Sequence, residues 1–194
     1  RVYYLIAHYR ELLRDPLHAL ISGSGLTWYG GALGGVIATL GWAKHKGQNL
    51  WAMCDAFAPG LAVAYAVGRI GCHLSGDGDY GKPTTLPWGY SYAKGIVPSP
   101  PGVLCHPTPI YETIAMLLVF WILWKLRTRL RGNGQLFGIY LILAGIERFW
   151  IEFLRLNPPV ALNLTVAQWT SLGAMVLGAI LYLWRRPKPA RAAH

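Results

Sequence analysis

Residues Leu164–Trp184, LTVAQWTSLGAMVLGAILYLW, carry no charged side chain. An apolar run of roughly 20 residues is the length that a bilayer's hydrocarbon core demands of a helix. Four other apolar segments accompany it: Thr27–Ala43, Trp51–Val67, Pro109–Leu126 and Gln135–Ile151. The first two are short and could be buried core helices, but they share a chain with stronger spans. Composition points the same way. The chain is 54% hydrophobic and 13% charged, whereas soluble domains carry about a quarter charged residues. So much apolar surface excludes disorder as well. Nine Trp and eleven Tyr suit side chains that anchor at membrane–water interfaces. The expected fold is all-α: a polytopic membrane protein of about five transmembrane helices, one domain over residues 1–194.

The net charge of +10 would raise nucleic-acid binding in a soluble protein. Here ten of the 18 basic residues fall in three runs after the first, third and fifth spans. These are Lys44 and Lys46; Lys125, Arg127, Arg129 and Arg131; and Arg185, Arg186, Lys188 and Arg191. With five spans the three runs share one face, and a Lys/Arg excess marks that face as cytoplasmic. Residues 185–194 then form a basic cytoplasmic tail. Residues 68–108 and 152–163 become outer loops. The charge reports orientation more than a nucleic-acid partner.

Charged groups near membrane depth are costly and tend to mark function. Polar residues crowd four places on the outer side: Gly25–Gly31; the exit of the second span, GRIGCHLSGDGDYGKP at Gly68–Pro83; HPTPIYE at His106–Glu112; and ERFWIEFLR at Glu147–Arg155. In the last, Arg148, Glu152 and Arg155 share one face if the segment is helical. Arg69 and Arg148, with Asp77, Glu112, Glu147 and Glu152 nearby, would line a polar chamber. Guanidinium groups bind phosphate bidentately and stay charged at any relevant pH, so the chamber suits a phospholipid headgroup. Structural ion pairs between helices, or snorkelling arginines, are the plainer alternative. Asp55, near the inner end of the second span, is expected to cap a helix or to pair with Lys44 or Lys46.

On these segments the sequence resembles the prolipoprotein diacylglyceryl transferase family. GRIGCHLSGDGDYGKPT stands where the family reads close to GRxGNFxNGE-x-x-G-x-PT. HPTPIYE matches HPxQxYE, ERFWIEFLR matches ERFxxEFxR, and Ala167–Gln168 stands for the family's GQ. The resemblance implies a bacterial enzyme of the cytoplasmic membrane, with its site toward the periplasmic face. It moves a diacylglyceryl group from phosphatidylglycerol to the lipobox cysteine of a preprolipoprotein, leaving a thioether and releasing glycerol phosphate, with no metal or other cofactor. Carried over residue by residue, Arg69 and Arg148 would bind the headgroup and stabilise the leaving group. Asp77, Cys72, Gly81, Glu112 and Glu152 would complete the binding site, Glu152 by orienting Arg148.

The chain also departs from the pattern. Tyr29 replaces the family's His before the paired glycines, a position linked to thiol deprotonation. A phenol with a pKa of about 10 is a poor base, though its hydroxyl can orient a headgroup. His106 or His73 could serve instead, or His106 could simply cap the third helix. Cys72 replaces the signature Asn and Ser75 its second Asn. Cys72 and Cys105 both fall on the oxidising side, as a disulfide or as free thiols. The family's first helices have no counterpart and Arg1 opens the chain, so an amino-terminal part is expected to be missing. Two other readings remain: a catalytically impaired relative that binds phospholipid or lipobox peptide, and a small transporter, which would need polar groups throughout the bilayer depth.

Overall fold

The computed structural model describes residues 5, 6 and 28–185. Among them are five α-helices and no strand: α1 (Trp28–Lys46), α2 (Leu50–Ser75), α3 (Thr108–Leu126), α4 (Gln135–Ile151) and α5 (Val166–Trp184). A short 3-10 turn, Glu152–Leu154, extends α4. The chain divides into two compact units, Arg1–Leu50 and Trp51–His194. The first contains α1, an apolar helix ending in Lys44, His45 and Lys46.

Three helices, α2, α3 and α5, are long and apolar enough to cross a membrane. The boundaries of α4 are those read from the hydropathy. α5 begins two residues later than the apolar run because Thr165 caps it. The Thr165 hydroxyl accepts the Gln168 N–H (3.3 Å) and Gln168 Oε1 accepts the Thr165 N–H (3.0 Å), the reciprocal arrangement that satisfies two orphan donors of a first turn. The larger departure is α2. It runs eight residues past Val67, so Gly68–Ser75 is helix and not loop. The loop to α3 begins at Gly76, whose φ of +59° closes the helix in the left-handed region that glycine tolerates.

α4 and α5 pack through small residues seven apart. A Cβ on Gly178 would stand 2.5 Å from the Gly138 carbonyl oxygen, and one on Gly145 would stand 2.9 Å from that of Ser171. Backbones this close favour helix pairing inside a bilayer, where burial of apolar surface provides no drive. Ala58, Ala62, Ala66, Met116, Val119, Leu123 and Leu136 form the apolar core between α2, α3 and α4.

One end of this unit is basic. Arg185, after α5, lies 4.6 Å from the Trp51 ring at the start of α2, and Arg127 lies 3.5 Å from the Trp124 ring at the end of α3. Asp55 sits at this end too, and it caps a helix. Its carboxylate accepts the N–H groups of Gly134 (2.7 Å) and Phe137 (2.8 Å) at the start of α4. The other end gathers the end of α2, the start of α3, the end of α4 and the start of α5. With 19 residues in α3, the two ends lie about 28 Å apart.

The loop between α2 and α3 has no regular structure and is pinned by isolated backbone bridges, Pro83 and Tyr90 to Cys105, and Gly81 to Arg155. Stacked Tyr80 and Tyr92 rings (centroids 4.7 Å apart) and Cys105 form its small core. The disulfide reading fails here: Cys54, Cys72 and Cys105 are all free thiols. Cys105 is held inside the aromatic core, where burial pushes its thiol pKa up. The segments 1–4, 7–27 and 186–194 lie outside the described residues, and with them nearly all of the basic tail.

Candidate active site

Three arginines and three carboxylates meet at the non-basic end. Arg69 projects from the last two turns of α2, Arg148 from the last turn of α4, and Arg155 from the extended residue after the 3-10 turn. Glu112 enters one turn into α3 and is the hub, its side chain wholly buried. Its carboxylate contacts Arg69 Nε and lies 3.2 Å from Arg148 Nη1 and 3.5 Å from Arg155 Nη1. Glu152 Oε2 pairs with two guanidiniums, 2.9 Å from Arg148 Nη2 and 3.7 Å from Arg155 Nε. Its Oε1 accepts the Asn157 amide (2.7 Å) and the Thr165 hydroxyl (2.8 Å), so the start of α5 fixes the carboxylate that orients Arg148. Asp79, from the loop, bridges Arg69 with one oxygen and Arg155 with the other.

The charges balance, three guanidiniums against three carboxylates. That balance lets charge persist at this depth, because a buried ion survives only with partners and satisfied hydrogen bonds. It also explains why α2 continues beyond its apolar part: Arg69 is neutralised by groups distant in sequence. Tyr65, one turn earlier, accepts from Arg69 Nη2 at 3.1 Å and lays its ring 5.0 Å from the guanidinium. Glu147 stands beside the network with a buried Oε1 that meets no donor among the described residues.

The loop is locked beneath these groups. The Asp79 carbonyl accepts the Thr108 hydroxyl (2.6 Å), the Gly81 N–H donates to the His106 carbonyl (2.9 Å), and the Lys82 N–H donates to the Leu154 carbonyl (2.8 Å). A Cβ at Gly81 would stand 2.6 Å from the Leu154 carbonyl oxygen and 2.8 Å from Thr108 Cγ2. Only glycine lets the two backbones approach this closely. Burial alone would raise the Asp79 carboxyl pKa; hydrogen bonds and charge from Arg155, with those from Arg69, outweigh it and hold the group below the usual carboxylate range.

Of the residues expected at the site, Arg69, Arg148, Glu112 and Glu152 come together. Cys72 borders them, its Sγ 3.9 Å from Arg69 Nη1, and Gly81 supports the loop below. Asp77 stands outside the arginine cluster: exposed, it accepts the Asp79 N–H at 3.2 Å and shapes the turn that presents Asp79. The shared helical face of Arg148, Glu152 and Arg155 gives way to a 3-10 turn, yet all three still converge. His106 does not cap α3, whose cap position is Pro107 with no side-chain bond. It faces Tyr111 at 3.4 Å. His73 bonds the Tyr92 hydroxyl at 2.7 Å within the aromatic core. Tyr29 lies in the first turn of α1, with its side chain outside the described residues. Tyr65 gave no signal in the sequence. Arg155 was singled out with Arg148 and Glu152 by its spacing, whereas Asp79 stood within a polar segment with nothing local to set it apart. Cys72, Asp77 and Asp79 place one ligand atom each within 4.8 Å of one another, but the two guanidiniums on Asp79 would repel a cation there.

A model of the family described as "prolipoprotein diacylglyceryl transferase" matches residues 1–184. The chain belongs to the prolipoprotein diacylglyceryl transferase family. Relatives named phosphatidylglycerol–prolipoprotein diacylglyceryl transferase include one from Clostridium tetani, 33% identical over 184 residues (94% of this chain, 73% of the relative). One from Finegoldia magna is 34% identical over 187 residues, covering 94% and 71%. One from Nostoc sp. is 35% identical over 207 residues, covering 97% and 71%. As a prolipoprotein diacylglyceryl transferase family member, the chain carries its three signature segments on three sides of one buried guanidinium cluster: on the end of α2 with its loop, on the start of α3, and on the end of α4.

Proposed function

We propose that the chain transfers the sn-1,2-diacylglyceryl group of phosphatidylglycerol to the lipobox cysteine thiol of preprolipoproteins. The lipobox sulfur forms a bond to the glyceryl carbon as the carbon–oxygen bond to phosphate breaks. The electron pair leaves on the phosphate oxygen, the thiol proton passes to a base or solvent, and glycerol phosphate departs. The observation that carries this reading is the convergence of Arg69, Arg148 and Arg155 around one buried carboxylate hub. Negative charge grows on the departing phosphate, and donors already fixed in a low-dielectric site stabilise such charge without reorganising.

In this reading Arg69, Arg148 and Arg155 touch the phosphate, and Glu112 and Glu152 are positioning residues that hold the guanidiniums. Cys72 and Gly81 border the bound headgroup, Asp77 shapes the loop over it, and Tyr29 and His106 remain candidates for orienting the headgroup or taking the thiol proton. The site faces the periplasm from the bacterial cytoplasmic membrane, and α1 and α4 count as spans in addition to α2, α3 and α5. The gathering of Arg127 and Arg185 at the opposite end supports this orientation, since cytoplasmic ends carry the Lys/Arg excess. The apolar core beneath the cluster weighs against a transport route.

The test is incubation of the protein in phosphatidylglycerol micelles with a lipobox peptide, read by mass spectrometry. The expected product is the peptide plus one diacylglyceryl group, absent from a peptide with Ser in place of Cys. An unmodified Cys peptide, where a relative modifies it under the same conditions, would refute the assignment.

A further inference from the structure

The three carboxylates of the cluster are not equivalent. The side chains of Glu112 and Glu152 are 0% and 1% exposed, and that of Asp79 is 30% exposed. The first two belong to helical segments. Asp79 sits on a loop one residue after Gly78, at φ +93°, and three after Gly76, at φ +59°. Its two oxygens span Arg69 and Arg155, as two oxygens of a phosphate would. It carries one negative charge, and so does a phosphodiester. Replacing the one by the other would leave the cluster's balance of three against three intact, whereas displacing Glu112 would expose buried charge on all three arginines. The loop's anchor is independent of this side chain, because the Thr108 hydroxyl is bonded to the Asp79 backbone carbonyl.

We propose that Asp79 is an exchangeable anion: its carboxylate holds the Arg69–Arg155 pair in the free protein and is displaced by the phosphate of the incoming lipid. This rests on the diacylglyceryl-transfer reading for the identity of the lipid, but the exchange itself is a statement about anion binding. Asp79 thereby sets specificity. A lipid without a phosphate or other anionic group cannot replace it, and the arginines stay occupied until an anion arrives. A site closed by its own side chain has its apparent affinity reduced by the fraction of molecules that are open. If a third or less are open, removing the carboxylate tightens binding by about threefold or more.

The experiment compares wild type, Asp79→Asn and Asp79→Ser in two assays. In transfer kinetics both variants should lower KM for phosphatidylglycerol at least threefold, with kcat changed far less. In thermal melting with inorganic phosphate and no lipid, phosphate should protect both variants at lower concentration than it protects wild type. A raised KM with a lowered kcat, phosphate protection no better than in wild type, or failure of both variants to fold would make Asp79 a structural strut and overturn the proposal. If wild type yields no product while phosphate protects the variants more strongly, the transfer reading fails and the exchange stands.

Discussion

Glu112→Gln isolates the hub. The substitution keeps the volume of a fully buried side chain and removes the only carboxylate among the described residues that touches all three arginines. Breaking a buried ion pair by neutralising one partner costs about 3–5 kcal/mol, because the surviving charge is left uncompensated. Each arginine retains a second partner here: Arg69 keeps Asp79, Arg148 keeps Glu152, and Arg155 keeps both. The loss should therefore fall at the lower end, about 3 kcal/mol, or roughly a hundredfold in the folding equilibrium. Equilibrium unfolding in mixed micelles measures it. Glu147→Gln, one residue before Arg148, is the control. Its Oε1 meets no donor, so its neutralisation should cost less than about 1 kcal/mol, as for substitutions that break no named interaction. Equal costs at the two positions, or under about 1 kcal/mol at Glu112, would mean that the guanidiniums do not depend on this carboxylate.

Other perturbations separate the ends of the unit. Asp55→Ala removes the acceptor of two N–H groups at the start of α4 and should cost about 1–2 kcal/mol, like loss of a helix cap; KM for phosphatidylglycerol should stay unchanged. Gly81→Ala forces a Cβ against the Leu154 carbonyl, so the loop must shift; transfer assays should show KM and kcat both impaired. Asp79, whose pKa is depressed in the folded protein, contributes stability above its ordinary value of 3.8 that disappears as pH falls through the lower folded value. The stability gap between wild type and Asp79→Asn, measured by unfolding at a series of pH values, should be constant near neutrality and close only below that point.

Hydropathy read α4 to the residue and α3 to within one. It stopped α2 at Val67, where Arg69 and His73 break the apolar pattern. The groups that make Arg69 tolerable arrive from positions 79 and 112, and no local window contains them. The choice of Asp79 over Asp77 was equally hidden. Two aspartates two residues apart are interchangeable in a sequence, and the backbone pinned by Thr108 and Leu154 decides which one reaches the arginines. Arg148 and Glu152 were legible because four residues on a helix bring side chains together. Arg155 stays with them only because the 3-10 turn at Glu152–Leu154 redirects the chain.

Diacylglyceryl transfer at this guanidinium cluster is tested most directly by the stoichiometry of its two products. Wild type, Arg148→Ala and Arg69→Ala, each shown to be folded, should be incubated with phosphatidylglycerol labelled in its headgroup and a lipobox peptide. Released glycerol phosphate and modified peptide should appear in equal amounts with wild type, and neither should appear with either variant. Wild-type levels of both products from Arg148→Ala would contradict the assignment.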